Sequence, residues 1–185
     1  VQTCALPIYK EGVLDKAKEL LKKLESVCRI KIDETDKTPG WKFAEHEMRG
    51  VPVRIEIGPK DIEAGQAMVA RRDTGEKMAI AIADLETEIP KLLERIQKEM
   101  LERARVHRDE HTYDAHNAEE MADIAANKPG FIRAMWCGDR ACEDSLKETA
   151  GITSRCMPFA QETIAETCVC CGKPAKKMVY WGKAY

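Results

Sequence analysis

Residues Pro39 to Asp61 read PGWKFAEHEMRGVPVRIEIGPKD, and the strand within them organises the first half of the chain. In Val51–Ile57, valine and isoleucine alternate with polar residues and proline, a period of two that predicts a strand with one apolar face. Gly58 and the proline after it end this strand, and Asp61 is suited to cap a brief helical turn. Trp41–Arg49 predicts a short helix before the strand.

The segments around this strand predict an α/β domain. Apolar residues at helical spacing indicate helices over Val13–Val27 and Ala83–Arg108. Alternation predicts a short strand over Arg29–Asp33, and the turn signal Asp-Thr-Gly-Glu between Ala67–Arg72 and Lys77–Ile82 predicts a hairpin. Helices interleaved with strands and closed by a hairpin favour an α/β sandwich with a mixed sheet.

The last third of the chain predicts a second, smaller α+β domain. Its expected strands are Phe131–Trp136, Ser154–Phe159 and Lys176–Tyr180, and its expected helix is Glu143–Thr149. A further helix over Ala118–Asn127 precedes it. We therefore expect a first domain over residues 9–109, a helical linker over 110–130 and a small second domain over 131–185.

Composition restricts the classes of function. The 185 residues are 44% hydrophobic and 34% charged, which is typical of a soluble globular protein, and no apolar run is long enough to span a bilayer. A formal net charge of −2 predicts no general affinity for DNA or RNA, so an RNA site would have to be local. The four histidines form no catalytic set, and neither a P-loop nor a dinucleotide-binding glycine motif is present.

The first eight residues do not resemble the start of a protein. Val1–Ile8 (VQTCALPI) has no initiator methionine, no basic start of a signal peptide and no obvious helix or strand pattern. The same eight residues result from in-frame translation of a common sequencing-library adaptor. We expect them to be a sequencing or assembly scar, with native sequence starting near Tyr9 and with Cys4 taking no part in the chemistry.

Six of the eight cysteines lie in the last fifty residues, which predicts a metal site rather than a secreted disulfide framework. Cys137-x4-Cys142 and Cys168-x2-Cys171 are two pairs at the spacing of a four-thiolate zinc site, and glycines after Cys137 and Cys171 permit tight turns. Cys170 competes with Cys171 for the fourth place. Cys156 is expected in the core, and the alternative is that all these thiols are ordinary buried cysteines.

The segment Pro39–Asp61 resembles the anticodon-binding domain of prolyl-tRNA synthetases. It shares with them Pro-Gly-Trp-Lys-Phe, a Glu-x-Glu helix and Gly-Val-Pro-x-Arg-x-Glu-x-Gly-Pro-Lys-Asp. The tail segments WCGDRACED and CVCCGKPAK look like the zinc-binding C-terminal domain of the archaeal and eukaryotic type, whose chains often end in a tyrosine that points towards the catalytic domain, as Tyr185 would here. The resemblance covers Tyr9 to Tyr185.

The resemblance implies that four residues recognise the two guanines of the proline anticodon: Glu47, Arg54, Lys60 and Asp61. Carboxylates accept from the guanine N1 and N2 groups, and cations donate to O6 and phosphates, so the mixed charges suit an unpaired base. The competing interpretation is two surface ion pairs, Glu47 with Arg54 and Lys60 with Asp61, each contributing about 0–1 kcal/mol. Trp41 and Phe43 could stack on bases or pack in the core.

The resemblance further implies a cytoplasmic parent enzyme that attaches proline to tRNA(Pro) with ATP and Mg²⁺ and forms a homodimer. The ATP and proline motifs of such an enzyme are absent from these residues, so the chain alone is expected to be inactive and to need the catalytic domain as partner. Three alternatives remain: a free-standing zinc-stabilised RNA-binding module, a zinc-stabilised structural domain without RNA affinity, and the corresponding part of a threonyl- or glycyl-tRNA synthetase.

Overall fold

A computed structural model describes residues 1–5 and 12–183, and the chain forms two compact units, Val1–Glu102 and Arg103–Tyr185. Each unit has its own sheet and its own apolar core. Tyr9 and Tyr185, on which two of the predictions rest, lie outside the described residues. Among the described helices, none is long and apolar enough to cross a membrane.

The first unit contains a five-stranded mixed sheet in the order β2-β1-β3-β4-β5. The strands are β1 (Gln2–Ala5), β2 (Lys31–Asp33), β3 (Val53–Ile57), β4 (Gln66–Arg71) and β5 (Lys77–Ala81). β1 runs parallel to β2 and β3, whereas β3, β4 and β5 are antiparallel neighbours. This mixed sheet confirms the predicted fold class.

The core of the first unit lies on one face of β3. Val53, Ile55 and Ile57 are fully buried there, as their period of two predicts. Helices α1 (Val13–Leu24) and α4 (Leu85–Glu110) contribute Leu20, Leu24, Ile89 and other apolar side chains to the same core. The opposite face of β3 carries Arg54 and Glu56.

Two short helices flank β3. α2 (Pro39–Met48) begins after Thr38, whose hydroxyl accepts a hydrogen bond from the backbone N–H of Trp41 at 3.4 Å. α3 (Pro59–Glu63) follows Gly58 directly. The Asp61 carboxylate accepts from the Gly58 backbone N–H at 2.9 Å, so Asp61 closes the start of α3 from its third position.

The second unit contains a four-stranded sheet in the order β6-β7-β9-β8. Its elements are β6 (Thr112–Asp114), α5 (Ala118–Asn127), β7 (Phe131–Trp136), α6 (Arg140–Ala150), β8 (Ile152–Cys156) and β9 (Lys177–Lys183). β6 is parallel to β7, and β9 is antiparallel to both β7 and β8. Ile132, Ala134, Val179 and Trp181 face a core that α5 and α6 complete with Met121 and Leu146.

Two features of the structure differ from the expectations. β6 and α5 lie in the predicted linker 110–130, yet β6 pairs with β7 and Met121 belongs to the second core. Gln2–Ala5 forms β1 although Val1–Ile8 shows no strand pattern. The prediction that residues 1–8 are a scar concerns their origin and stays a prediction.

Candidate functional sites

The first candidate site is built around Arg54 on the polar face of β3. Its guanidinium lies 3.8 Å from the centre of the Phe43 ring, and the residue is only 8% exposed. Nη1 donates to Glu47 Oε1 at 2.8 Å, and Nε donates to Glu56 Oε1 at 3.0 Å. One buried cation therefore joins α2 to β3 and fixes two carboxylates.

A second cation completes this cluster. The Lys77 ammonium on β5 lies 3.0 Å from Glu56 Oε1 and 5.3 Å from the centre of the Phe43 ring. The sheet register explains the proximity, because Arg54 pairs with Ala70 and Ala70 pairs with Lys77. The Phe43 ring therefore lies against two cations and is not free to stack on a base on that side.

The four residues predicted for base recognition are exposed to different degrees. The Glu47 side chain is 52% exposed and uses one carboxylate oxygen for Arg54. Lys60 is exposed, Asp61 is half-buried, and within the described residues neither forms an ion pair with the other. The predicted Glu47–Arg54 pair exists, but it joins a buried cation to an accessible carboxylate and is more than a surface ion pair.

A buried polar cluster that sequence reasoning did not identify fixes α2 on its other side. Asp33 at the end of β2 accepts from the Thr35 hydroxyl at 2.6 Å and lies 2.7 Å from His46 Nε2. The Lys42 ammonium, on a residue that is 1% exposed, lies 3.7 Å from Asp33 Oδ1 and donates to the Asp33 carbonyl at 3.2 Å. The sequence indicated this cluster only through the four-residue spacing of Lys42 and His46, which places both on one face of a helix.

This cluster changes the acidity of Asp33. Burial would raise the pKa of its carboxyl, but the hydrogen bonds from Thr35 and His46 and the nearby Lys42 lower that pKa to about 2. The carboxylate therefore stays charged and stabilises α2 against β2 at neutral pH.

The second candidate site is a cluster of four cysteine sulfurs. The Sγ atoms of Cys137, Cys142, Cys168 and Cys171 all lie within 4.8 Å of one another. Cys137 Sγ lies 3.7 Å from Cys142 Sγ and 3.8 Å from Cys171 Sγ. A tetrahedron with Zn–S bonds of 2.3 Å has edges of about 3.8 Å, so these separations fit a metal ion held by four thiolates.

The chain positions these sulfurs with two turns. Cys137 follows β7, and Cys142 lies in the first turn of α6, which Asp139 caps by accepting from the Ala141 N–H at 3.0 Å. The second turn spans residues 168–172. It is closed by a hydrogen bond from the Gly172 N–H to the Cys168 carbonyl at 3.1 Å. Cys137, Cys142 and Cys168 are buried and Cys171 is exposed.

The thiols of the cluster differ in acidity. Burial raises the pKa of Cys142 well above its ordinary value. Burial acts in the same direction on Cys168, but hydrogen bonds from the backbone N–H groups of Cys171 and Cys170 outweigh it and lower the pKa of Cys168 to about 7. Cys168 therefore gives up its proton more readily than Cys137 and Cys142, whose pKa values are raised.

The remaining cysteines are placed as follows. Cys170 is half-buried and packs against the second core, and it does not belong to the group of four. Cys156 is exposed, so the prediction of a core position is wrong: β8 lies at the edge of the sheet and Cys156 is on its uncovered side. The seven cysteines from Cys28 to Cys171 are free thiols.

The fold and the two sites define a class: an anticodon-binding domain of the tRNA-synthetase type, followed by a small domain with a four-cysteine cluster. A family model described as "Anticodon binding domain" matches residues 2–92, and one described as "Prolyl-tRNA synthetase, C-terminal" matches residues 118–185. The chain belongs to the prolyl-tRNA synthetase family, of which it is the C-terminal region.

Individual relatives agree with this assignment. The chain is 66% identical to the proline--tRNA ligase of Lachnoclostridium phytofermentans and 60% identical to that of Clostridium novyi over its whole length, and it spans 39% of each. The crystal structure of the prolyl-tRNA synthetase of Cryptosporidium parvum complexed with L-proline and AMP matches with a TM-score of 0.89 at 33% identity. That match covers all of this chain and 40% of the other.

Proposed function

We propose that the first unit recognises the two guanines of the tRNA(Pro) anticodon through Glu47, Arg54, Lys60 and Asp61. The observation that carries this proposal is the buried Arg54, which is stacked on Phe43 and bound to Glu47 and Glu56. An accessible carboxylate that a buried cation holds in place is a pre-organised acceptor, and pre-organisation reduces the cost of binding.

The four side chains take different parts in this proposal. Glu47 keeps one carboxylate oxygen free of Arg54 and accepts from the N1 and N2 groups of one guanine. Asp61 keeps one oxygen free of the Gly58 N–H and accepts from the second guanine, while exposed Lys60 donates to O6 or a phosphate. Arg54 is a positioning residue, because burial and its two carboxylate partners leave little of its guanidinium accessible.

The activity of a whole protein of this family is also a proposal for this chain, which spans 39% of the length of its curated relatives. We infer that such a protein attaches proline to tRNA(Pro) using ATP and Mg²⁺ in the cytoplasm, as a homodimer. The residues that bind ATP and proline would lie outside these 185 residues. The chain alone would bind tRNA and form no prolyl-tRNA.

The second unit is proposed to hold a structural Zn²⁺ at Cys137, Cys142, Cys168 and Cys171. The support is the four-sulfur arrangement, whose measured separations fit tetrahedral thiolate coordination. Bound zinc would supply cross-links between the β7 end, α6 and the 168–171 turn, and no chemistry on a substrate.

The experiment is a binding titration of the full chain at fixed salt with a tRNA(Pro) transcript and with one whose two anticodon guanines are replaced by adenines. We expect the native transcript to bind about tenfold or more tightly, since one good base contact contributes about 1–3 kcal/mol of discrimination. Glu47→Gln should remove most of that preference. Glu63→Gln, which changes an exposed carboxylate on α3, should leave it intact.

Three outcomes would overturn the recognition proposal. Equal affinity for both transcripts would show that the accessible carboxylates do not read the anticodon in this chain. A preference that survives both Glu47→Gln and Asp61→Asn would place recognition elsewhere. No binding to either transcript would favour the second candidate, a zinc-stabilised structural unit, for which the four-cysteine cluster is the specific observation.

A further inference from the structure

A cleft of about 950 Å³ lies over the outer face of the second unit's sheet, opposite its core. The register places its residues in rows, because Phe131 pairs with Thr112, and Arg133 pairs with both Asp114 and Tyr180. Ile132 and Ala134, which alternate with Phe131 and Arg133, face the buried core instead. We call this surface, defined by Phe131, Arg133, Asp114, Tyr180 and Cys156, the outer sheet face.

Two aromatic rings on neighbouring central strands form the floor of this cleft. Phe131 on β7 is 44% exposed, and its ring centre lies 6.4 Å from that of Tyr180 on β9 in an edge-to-face arrangement. Phe131 is the first residue of the central strand β7, and its exposed ring leaves an apolar surface that a partner could cover. Flat rings on the two central strands of a four-stranded sheet are suited to stacking on nucleobases.

The cations around the outer sheet face fall into two groups. Arg133 is neutralised, since its Nε and Nη2 donate to the Asp114 carboxylate at 2.6 and 2.8 Å and its Nη1 donates to Glu162 at 2.9 Å. Arg108 is paired with Asp109 at 2.7 Å. The pKa of the Asp114 carboxyl is lowered by the Arg133 hydrogen bonds, so the Arg133–Asp114 pair stays charged.

Lys128 and Arg155 form the second group. Within residues 1–5 and 12–183 neither side chain has a carboxylate partner within 4.0 Å. The Lys128 ammonium lies 5.5 Å from the centre of the Tyr113 ring, and Arg155 Nη2 donates to the Gly182 carbonyl at 3.2 Å. Lys128, Phe131 and Arg155 also line an adjoining cleft of about 660 Å³, together with Lys183.

We propose that the outer sheet face binds an unpaired nucleotide of an RNA strand. Its base stacks on the exposed Phe131 ring, beside which Tyr180 lies in an edge-to-face arrangement, and the adjoining phosphates lie against Lys128 and Arg155. An acidic peptide would satisfy the two cations but would leave the exposed aromatic rings without a flat partner. The aromatic floor therefore favours RNA over an acidic protein segment.

This inference does not depend on anticodon recognition by the first unit. The anticodon surface discriminates guanine through carboxylates, whereas the outer sheet face has no free carboxylate directed at a base edge among its described residues. Stacking and phosphate contacts such as those of the outer sheet face contribute affinity without sequence preference. The two proposals can therefore fail separately.

The test is fluorescence anisotropy of the full chain with a 5′-labelled ten-nucleotide oligoadenylate, which contains no guanine. Phe131→Ala should weaken binding about tenfold, because stacking contributes about 1–3 kcal/mol per base. Lys128→Ala and Arg155→Ala should each reduce the slope of log affinity against log salt by about 0.7. Lys147→Ala, an exposed cation on α6, is the matched control and should change neither quantity.

A second readout locates the bound strand. Cys156 is exposed and lines the cleft, so bound RNA should slow its alkylation by iodoacetamide several-fold while leaving the rate at Cys28 unchanged. Binding unaffected by Phe131→Ala, or Cys156 alkylated at the same rate with and without RNA, would overturn the proposal. Displacement of the RNA by an equal concentration of oligoglutamate would also overturn it, in favour of an acidic protein partner.

Discussion

Asp33, Lys42 and His46 show how a single buried carboxylate can fix the position of a helix. Lys42 is almost completely buried, and burying an ammonium is costly unless a carboxylate or carbonyl compensates for the lost water. Asp33 provides both, since its carboxylate and its backbone carbonyl contact Lys42. The cluster holds α2, and α2 in turn carries Glu47 and Phe43 of the candidate anticodon surface.

Replacing Asp33 should remove a defined part of the pH dependence of stability. The pKa of Asp33 is lowered from 3.8 to about 2 in the folded chain, so its contribution is present above pH 4 and is lost as the pH falls towards 2. We expect Asp33→Asn to cost about 3 kcal/mol at pH 7, because Lys42 stays buried without its carboxylate. Between pH 4 and pH 2.5 the difference between wild type and variant should shrink by about 1–2 kcal/mol.

Urea unfolding at several pH values measures both effects. Asp36→Asn is the control, since Asp36 is an exposed carboxylate three residues further along the same segment. A constant difference between wild type and Asp33→Asn from pH 7 to pH 2.5 would contradict the assigned linkage.

At the scale of elements, β6 and β7 approach each other closely at a glycine. The Phe131 N–H donates to the His111 carbonyl at 2.8 Å, and Gly130 has a φ of 154°. A Cβ added at Gly130 would lie 2.1 Å from the His111 carbonyl oxygen, which belongs to the backbone and cannot rotate away. Glycine at position 130 therefore allows the backbones of β6 and β7 to approach closely enough to pair.

Gly130→Ala should therefore destabilise the second unit by about 2–4 kcal/mol. Hydrogen exchange should show the loss in the β6–β7 pairing and the core around Ile132, because those amides lie next to the clash. Gly172→Ala is the comparison: its φ of 69° carries strain, but an added Cβ meets no atom within 4 Å. Equal destabilisation by the two substitutions would exclude the close approach as the cause.

Long elements with a clear period could be predicted from the sequence, whereas the three-residue strand β6 could not. The stripe of α4 and the alternation of β3 provide many residues to define a period, and both elements appear as expected. β6 has three residues, Thr112–Asp114, and its pairing depends on β7 across an intervening helix. No period can be detected in three residues, so only tertiary contacts define such a strand.

The candidate anticodon surface was predicted in its residues but not in its internal arrangement. Alternation placed Arg54 and Glu56 on the polar face of β3, which suggested two exposed side chains. The structure buries Arg54 instead, because α2 crosses that face and places Phe43 over the guanidinium. Which helix covers a strand face is determined by packing between distant segments, and local patterns do not report it.

For the molecule as a whole, the near-neutral charge agrees with the proposal of two local RNA surfaces of different chemistry. The formal charge of −2 gives no long-range attraction to RNA, so affinity has to come from contacts. The first unit offers carboxylates positioned by a buried cation, and the second offers aromatic rings beside Lys128 and Arg155, which have no carboxylate partner within residues 1–5 and 12–183. We thus assign discrimination between anticodons to the first unit and general affinity for RNA to the second, and each unit has its own core.

Removal of zinc should accordingly affect one unit only. The cysteine cluster lies within Arg103–Tyr185, where the Val169 N–H donates to the Met135 carbonyl at 2.9 Å and joins the 168–171 turn to β7. We expect one zinc ion per chain by elemental analysis. Chelation should raise hydrogen exchange of residues 103–183 at least tenfold and leave the core of residues 12–102 protected, since metal binding and folding are coupled.

Two serine variants test which sulfurs hold the ion. Cys171→Ser should lose most of the bound zinc, because its sulfur completes the group of four, whereas Cys170→Ser should keep close to one ion per chain. The reverse result would assign the fourth ligand to Cys170 and require the 168–171 turn to rearrange. A chain that contains no zinc and resists chelation would instead leave Cys137, Cys142 and Cys168 as buried reduced thiols packed against Trp136, with Cys171 exposed.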